Sequence, residues 1–232
     1  MRQAIIFTLI LVLLSGLGFA ACPDGMVSYW TFDNDSVSGN TALDSQGVYD
    51  GNIYGANKTS GRVNNAISLD GLDDYVNVSN NLGLSDHSFS ISGWFKTTSF
   101  SRSMLVAKHY AGIKEGFLIG TNFNNEKLDF YVGGGGEFSR VIGGQSIVDN
   151  SWHHFVITLE KNNLAQELYT DGTLDSSMTG ESLSTANSPL LLGALLRSTG
   201  PSDFFKGKLD EIAIFNRSLN ASEIQQLYNQ SS

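Results

Sequence analysis

One cysteine, Cys22, is all that the 232-residue sequence holds. An internal disulfide needs two and a thiolate zinc site needs several, so the domain must do without either. Basic residues are also scarce: 14 Lys and Arg stand against 23 Asp and Glu, for a net charge of −9. That balance argues against nucleic acid or an anionic membrane surface as partner, since both are held by clustered cations. It suits a soluble exported protein able to hold divalent cations. Nucleotide and hydrolase signatures are missing as well. The glycine run from Val132 to Gly136 leads into Glu137-Phe138-Ser139 and not into a helix. No helix N–H groups stand behind it to cradle a phosphate, so it reads as a hairpin end. There is no Gly-x-Ser-x-Gly elbow. After the first residues no apolar run reaches the ~20 needed to cross a bilayer.

The first residues are where long apolar sequence does occur. Arg2 precedes an apolar stretch from Ala4 to Leu14, and Gly18-Phe19-Ala20 supplies the small-x-small pattern of a signal-peptidase cut. Residues 1–21 are therefore expected to be an export signal, with 22–232 as one domain, secreted or at the cell surface. Retention as an anchor is the alternative. Phe19-Ala20-Ala21-Cys22 resembles the lipid-attachment box of bacterial lipoproteins, with Phe19 where Leu is usual; an unpaired thiol near a terminus is the other reading of Cys22. Membrane contact is thus expected only through an uncleaved signal or a lipidated Cys22. Six Asn-x-Ser/Thr triplets, beginning at Asn34, Asn57, Asn77, Asn216, Asn220 and Asn229, would be glycosylation acceptors in a host that modifies exported proteins.

Beyond residue 25 the chain alternates apolar and polar residues between Gly, Asn and Asp turn signals. Many short strands at this spacing indicate an all-β sandwich or barrel. In "SFSISGWF", Phe89, Ile91 and Phe95 share a face, as do Phe155, Ile157 and Leu159 in "HFVITLE". One helix is expected near the end: Asn220 caps it, Glu223 completes a capping box, and Ile224, Leu227 and Tyr228 form its apolar stripe.

Adjacent acids in the strand "LDEIAIF" raise the question of chemistry. Regular strand geometry points Asp210 and Glu211 to opposite faces, which excludes a glycosidase pair across one bond. Whichever face is buried, one carboxylate then needs a partner, an ion or several N–H donors. His153 and His154 diverge for the same reason, giving one histidine at the core edge and one at the surface. Oxygen-rich loops suit Ca²⁺, and "FDNDSVSGNTALDSQGVYDG" supplies Asp33, Asp35, Asp44 and Asp50. It does not match an EF-hand, because Ser38 stands in place of the glycine and Val37 at a ligand position. Asp70, Asp73 and Asp74 read as a turn between strands.

Five segments, in order, carry a resemblance to the laminin G-like (concanavalin A-like) jelly-roll domains: "MVSYWTFD", "AISLDGLDDYVNV", "SFSISGWFKT", "WHHFVITLE…ELYTDGTL" and "LLLGAL…FFKGKLDEIAIFNRSLNASEIQQLY". They span Met26–Tyr228. The resemblance implies a two-sheet antiparallel jelly-roll sandwich with first and last strands side by side, which brings Asp33 near Asp210. It implies a structural Ca²⁺ there, with Asp33 and Asp210 as leading ligands and Asp50 or Asp44 assisting. It makes Asp171-Gly172 a hairpin tip and Trp152 a core residue. The Glu-x-Asp-x-Glu strand of the glucanase branch is absent, so the expected role is a non-enzymatic binding or adhesion domain for glycans or a cell-surface protein. A structural envelope protein is the alternative, and a polysaccharide-cleaving enzyme a third. Tyr110, Phe123, Tyr131 and Phe138 are the aromatics expected to stack on sugar.

Overall fold

The computed structural model describes residues 22–78, 82–110, 114–121, 126–134, 136–184 and 187–230. Residues 1–21, the expected signal, and Phe123 lie outside the described residues. In chain order the strands begin β1 (Met26–Trp30), β2 (Val37–Ser38), β3 (Thr41–Ala42), β4 (Gly51–Tyr54), β5 (Asn57–Ser60), β6 (Asn65–Asp70) and β7 (Tyr75–Val78). Next come β8 (Phe89–Lys96), β9 (Ser103–Tyr110), β10 (Glu115–Thr121), β11 (Leu128–Gly134), β12 (Glu137–Ile142), β13 (His153–Leu159) and β14 (Ala165–Thr170). Last are β15 (Thr173–Thr179), β16 (Leu190–Leu192), β17 (Leu195–Arg197), β18 (Gly200–Ser202), β19 (Lys206–Phe215) and the helix α1 (Ala221–Gln230).

Two sheets result, antiparallel apart from a single parallel bridge between β17 and β9. Sheet one runs β15-β14-β13-β8-β19-β6-β5, with β1 also paired to β19. Sheet two runs β12-β11-β10-β9-β16-β7-β4-β3-β2, with β17 and β18 beside it. The period of two in the strands decides what lies between them. Phe89, Ile91 and Phe95 of β8 and Phe155, Ile157 and Leu159 of β13 meet Phe117, Ile119, Phe130 and Val132 of sheet two in one buried cluster. The fold is the expected jelly-roll sandwich, with β1 against β19. Asp171 (φ 51°) and Gly172 (φ 76°) form the two-residue tip of the β14–β15 hairpin.

A second apolar layer lies on the outer face of sheet one. Val156, Tyr169, Ala213, Phe215 and Ile224 are buried together, with Met26, Tyr29 and Leu227 against them. Asn220 caps α1 as expected: its Oδ1 accepts from the Ser222 and Glu223 amides, and Glu223 accepts from the Asn220 amide. Burying Ile224 alone contributes ~1.5–3 kcal/mol. Because α1 covers this face, β8 and β13 are buried on both sides. This corrects the expectation of a surface histidine. His154, on the outer face, is 2% exposed and packs against both Trp94 and Tyr228, which stack on each other at 5.5 Å. His153 hydrogen-bonds Asp171 (2.9 Å) and Asp149 (3.1 Å). Trp152 is a further correction: it is half-buried ahead of β13 and sits in none of the core clusters among the described residues.

The strand carrying Asp210 and Glu211 is not regular. Asp210 pairs with Trp94 and Ala213 with Ser92, so Glu211 and Ile212 together oppose Gly93. This is a β-bulge, with Glu211 in the left-handed region at φ 53°. Leu209 and Ile212, three apart, consequently both enter the inner core. Gly93 makes the room, since a Cβ there would meet Ile212 Cδ1 at 2.4 Å. Asp210 and Glu211 therefore both occupy the outer face, which overturns their expected separation.

Candidate functional site

Among the described residues no helix covers the outer face of sheet two. A groove of about 360 Å³ crosses β9 to β12, walled by Arg102, His109, Lys114, Leu118, Tyr131 and Phe138. Register explains the grouping: Tyr131 lies opposite Leu118 and Arg140, and Gly133 opposite Gly116 and Phe138. The glycine pair leaves the floor without side chains. A Cβ would come within 1.9 Å of the Lys108 carbonyl at Gly116 and within 2.2 Å of the Lys114 carbonyl at Gly133.

The two rings, Tyr131 and Phe138, lie 5.9 Å apart at 48°. Phe138 is 51% exposed although wholly apolar. Cations flank both: Lys114 Nζ is 5.4 Å from the Phe138 ring centre, and the Arg140 guanidinium is 5.2 Å from that of Tyr131. Asp129 anchors Arg140 at 2.6 Å from behind, and Asp203 holds Arg102 at 3.3 Å. Burial, with Arg102 and Arg197 nearby, pushes the His109 imidazole down, so it is neutral at pH 7. Among the described residues the groove wall itself carries cations and rings but no carboxylate.

The structure thus joins two of the four aromatics chosen from sequence, Tyr131 and Phe138. Tyr110 is the last residue of β9, and Phe123 is outside the described residues. Arg102, His109 and Lys114 were not legible as site residues. They come from separate strands and strand ends, and no sequence spacing links them.

The four acids expected around calcium have other partners. Asp44 is buried and accepts four amides: Tyr29 (2.8 Å) and Gln46 (3.0 Å) on Oδ1, Val48 (3.4 Å) and Tyr49 (3.0 Å) on Oδ2. Asp50 accepts the Asp44 amide at 2.8 Å. Asp33 accepts the Asn65 amide (3.0 Å) and the Asn64 side chain (3.2 Å). Asp210 Oδ2 accepts the amides of Arg62 (2.7 Å) and Val63 (3.0 Å). Calcium needs several oxygens free to converge on one point. Here each of the four carboxylates is engaged by N–H donors, and among the described residues they do not converge within 4.8 Å of one another, so this donor set does not fit a shared ion. Asp33 and Asp210 meet at the same place, the β5–β6 turn, where they accept the amides of Asn65 and of Arg62 and Val63. Among the described residues only Asp70, Asp73 and Asp74 bring three carboxylates within 4.8 Å. They build the expected turn, with Asp70 accepting the Leu72 amide and Asp74 the Asp70 amide.

Solved structures share this architecture. The binding domain of Paraclostridial Mosquitocidal Protein 1 matches with a TM-score of 0.70 at 20% identity, over 89% of this chain and 52% of that one. Domain 4 of AbnA, a GH43 extracellular arabinanase from Geobacillus stearothermophilus, in complex with arabinotriose, matches at 0.68 and 20%, over 88% and 98%. The binding domain of Botulinum Neurotoxin DC, in complex with SialylT, matches at 0.67 and 16%, over 90% and 52%. The chain spans about half the length of these toxin domains. No curated protein matches by sequence. The family model described as the concanavalin A-like lectin/glucanases superfamily matches residues 70–225, two thirds of the chain, and the chain belongs to that superfamily.

Proposed function

We propose that the mature chain is an exported, non-enzymatic domain that binds glycans at a cell or matrix surface through the groove over β9 to β12. The observation that carries this reading is the half-exposed Phe138 ring beside Tyr131. An apolar ring kept in water over a glycine-floored groove gives the face of a sugar ring something to stack on. Arg102 and Lys114 in the wall, within a chain of net charge −9, favour a saccharide bearing carboxylates. The similar domains described with arabinotriose and with SialylT support the glycan class. Hydrolysis is not favoured, because glycosidases place two carboxyl groups across the scissile bond and the groove wall has none among the described residues. Export rests on the leader, with Cys22 the point of lipid attachment if the chain is anchored.

The test is a glycan array comparing neutral with uronic acid-containing oligosaccharides on wild type, Tyr131→Ala and Phe138→Ala. Binding that favours the acidic set and falls in both variants supports the reading. Absence of binding, or binding indifferent to both substitutions, moves the assignment to a structural envelope role.

A further inference from the structure

A second cavity, of about 250 Å³, lies on the opposite side of the molecule, between α1 and the outer face of sheet one. Its walls are of two kinds. Met26, Val63, Ala213 and Leu227 are apolar, while Tyr29, Trp94, His154 and Glu211 bring rings and one carboxylate. Cys22 and Gln230, both exposed, stand at its mouth. Among the described residues no lysine or arginine lines it.

Glu211 is there because of the bulge. A non-glycine residue in the left-handed region is a strained choice, and such strain collects at functional positions. Its one hydrogen-bond partner among the described residues is the Tyr29 hydroxyl. The other charge acting on it is Asp33, a second anion. Next to it, Asp210 is fully buried, and its Oδ1 has no partner. His154 Nδ1, from a wall residue that is 2% exposed, is also unpartnered and can accept a hydrogen bond. Arg62, whose guanidinium lies 4.5 Å from the Trp94 ring centre, forms no ion pair with either acid among the described residues. Buried polar atoms left open cost about 1–3 kcal/mol each. Partly buried acids without a countercharge, set among rings and apolar walls, make a receptor for a cation.

We propose that this cavity is a binding site for a small organic cation with a primary ammonium group. The ammonium sits against Glu211, its N–H donors reach the carboxylate and the Tyr29 oxygen, and its alkyl part lies along Met26, Val63 and Leu227. Asp210 adds negative potential from behind. The site is distinct from the glycan groove and does not depend on it.

The acids are raised toward neutrality by burial, each to about 7, while an alkylammonium keeps its proton up to about pH 10. Binding therefore strengthens as pH rises. The titratable and charged groups around the cavity are Tyr29 from β1, Asp210 beside Glu211 on its own strand, His154 from β13, Cys22 and Asp33 from the adjoining segments, and, against the Trp94 ring, Arg62 and Tyr228. Tyr29 is raised by burial and Glu211, and His154 is held neutral, pushed down to about 3 by burial. Neither changes charge over the range tested.

The probes are n-butylammonium and its neutral counterpart n-butanol, titrated by calorimetry and by the Trp94 indole NMR signal. At about pH 8 n-butylammonium is expected to bind in the millimolar range, at least ~10-fold tighter than at about pH 5. Glu211→Gln, which keeps the shape and removes the charge, should lose at least ~10-fold at the higher pH. Equal binding of amine and alcohol overturns the proposal, as does absence of any response to the amine. Should Glu211→Gln fail to fold, the amine–alcohol contrast and the pH dependence of the wild type decide alone.

Discussion

Asp33, just past the first strand, and Asp210, in the last, grip amides of one turn, Asp33 at Asn65 and Asp210 at Arg62 and Val63. Chain start and chain end are fastened through the β5–β6 hairpin. Asp210→Ala leaves two amides unpaired under a covered face and should cost on the order of 3 kcal/mol in urea unfolding. Asp33→Ala should cost less, and the double variant should fall short of the sum, because both act on one turn. Additive losses would show that the two carboxylates act separately.

Asp44 is the hub of its loop. Asp44→Ala should lower the thermal midpoint strongly, with a loss of about 2–4 kcal/mol, since four amides lose their acceptor together. EDTA and added Ca²⁺ should leave the wild-type midpoint unchanged. A rise with Ca²⁺ that disappears in Asp44→Ala would restore the ion that these hydrogen bonds argue against.

Stability should respond to pH through Glu211 and Asp210. Burial raises both folded pKa values to about 7, above the ~3.9 and ~4.3 of the unfolded chain. Between those limits the folded state holds more protons, so both acids make stability fall as pH rises and level off above about 7. His154, depressed by burial, acts oppositely below its ordinary value. That contribution is common to wild type and variant, so the difference between them isolates the acid. Glu211→Gln should gain midpoint relative to wild type on going from about pH 5 to about pH 8. A constant difference would mean that Glu211 stays charged in both states.

The exposed ring and its buried counterparts should behave differently. Phe138→Ala should change unfolding free energy by less than ~0.5 kcal/mol, whereas Phe155→Ala, from the inner core, should cost about 3–5 kcal/mol. Comparable losses would make Phe138 a packing residue and remove its claim on the groove.

At the helix, Asn220→Ala should cost about 1 kcal/mol and loosen the cover over Trp94 and His154. Hydrogen exchange of α1 amides should quicken while that of β13 holds.

Much of this was legible from local pattern. Alternation at Phe89-Ile91 and Phe155-Ile157 placed β8 and β13, and Asn220 and Glu223 placed a helix, both through interactions within a few residues. The hairpin tip at Asp171-Gly172 came from the family resemblance. The edge strand β15, "TLDSSMT", was invisible because an edge facing water has no apolar alternation to show. His154 was misplaced because burial on the outer face depends on what packs there, and α1 is a distant segment.

Sequence by itself determined the all-β class, since a period of two with one apolar face has few ways to be buried, and the resemblance carried by five ordered segments implied the two-sheet sandwich rather than a barrel. Only the tertiary structure decided the fate of the acids and rings. Regular pleating predicts opposite faces for Asp210 and Glu211, but pairing against Gly93 inserts a bulge that puts both on one face. Amide donors from separate loops turned the expected calcium ligands into fasteners. Sheet register then joined Tyr131, Phe138 and Lys114 into one groove. Register and bulges arise between strands far apart in the chain, where no local pattern records them.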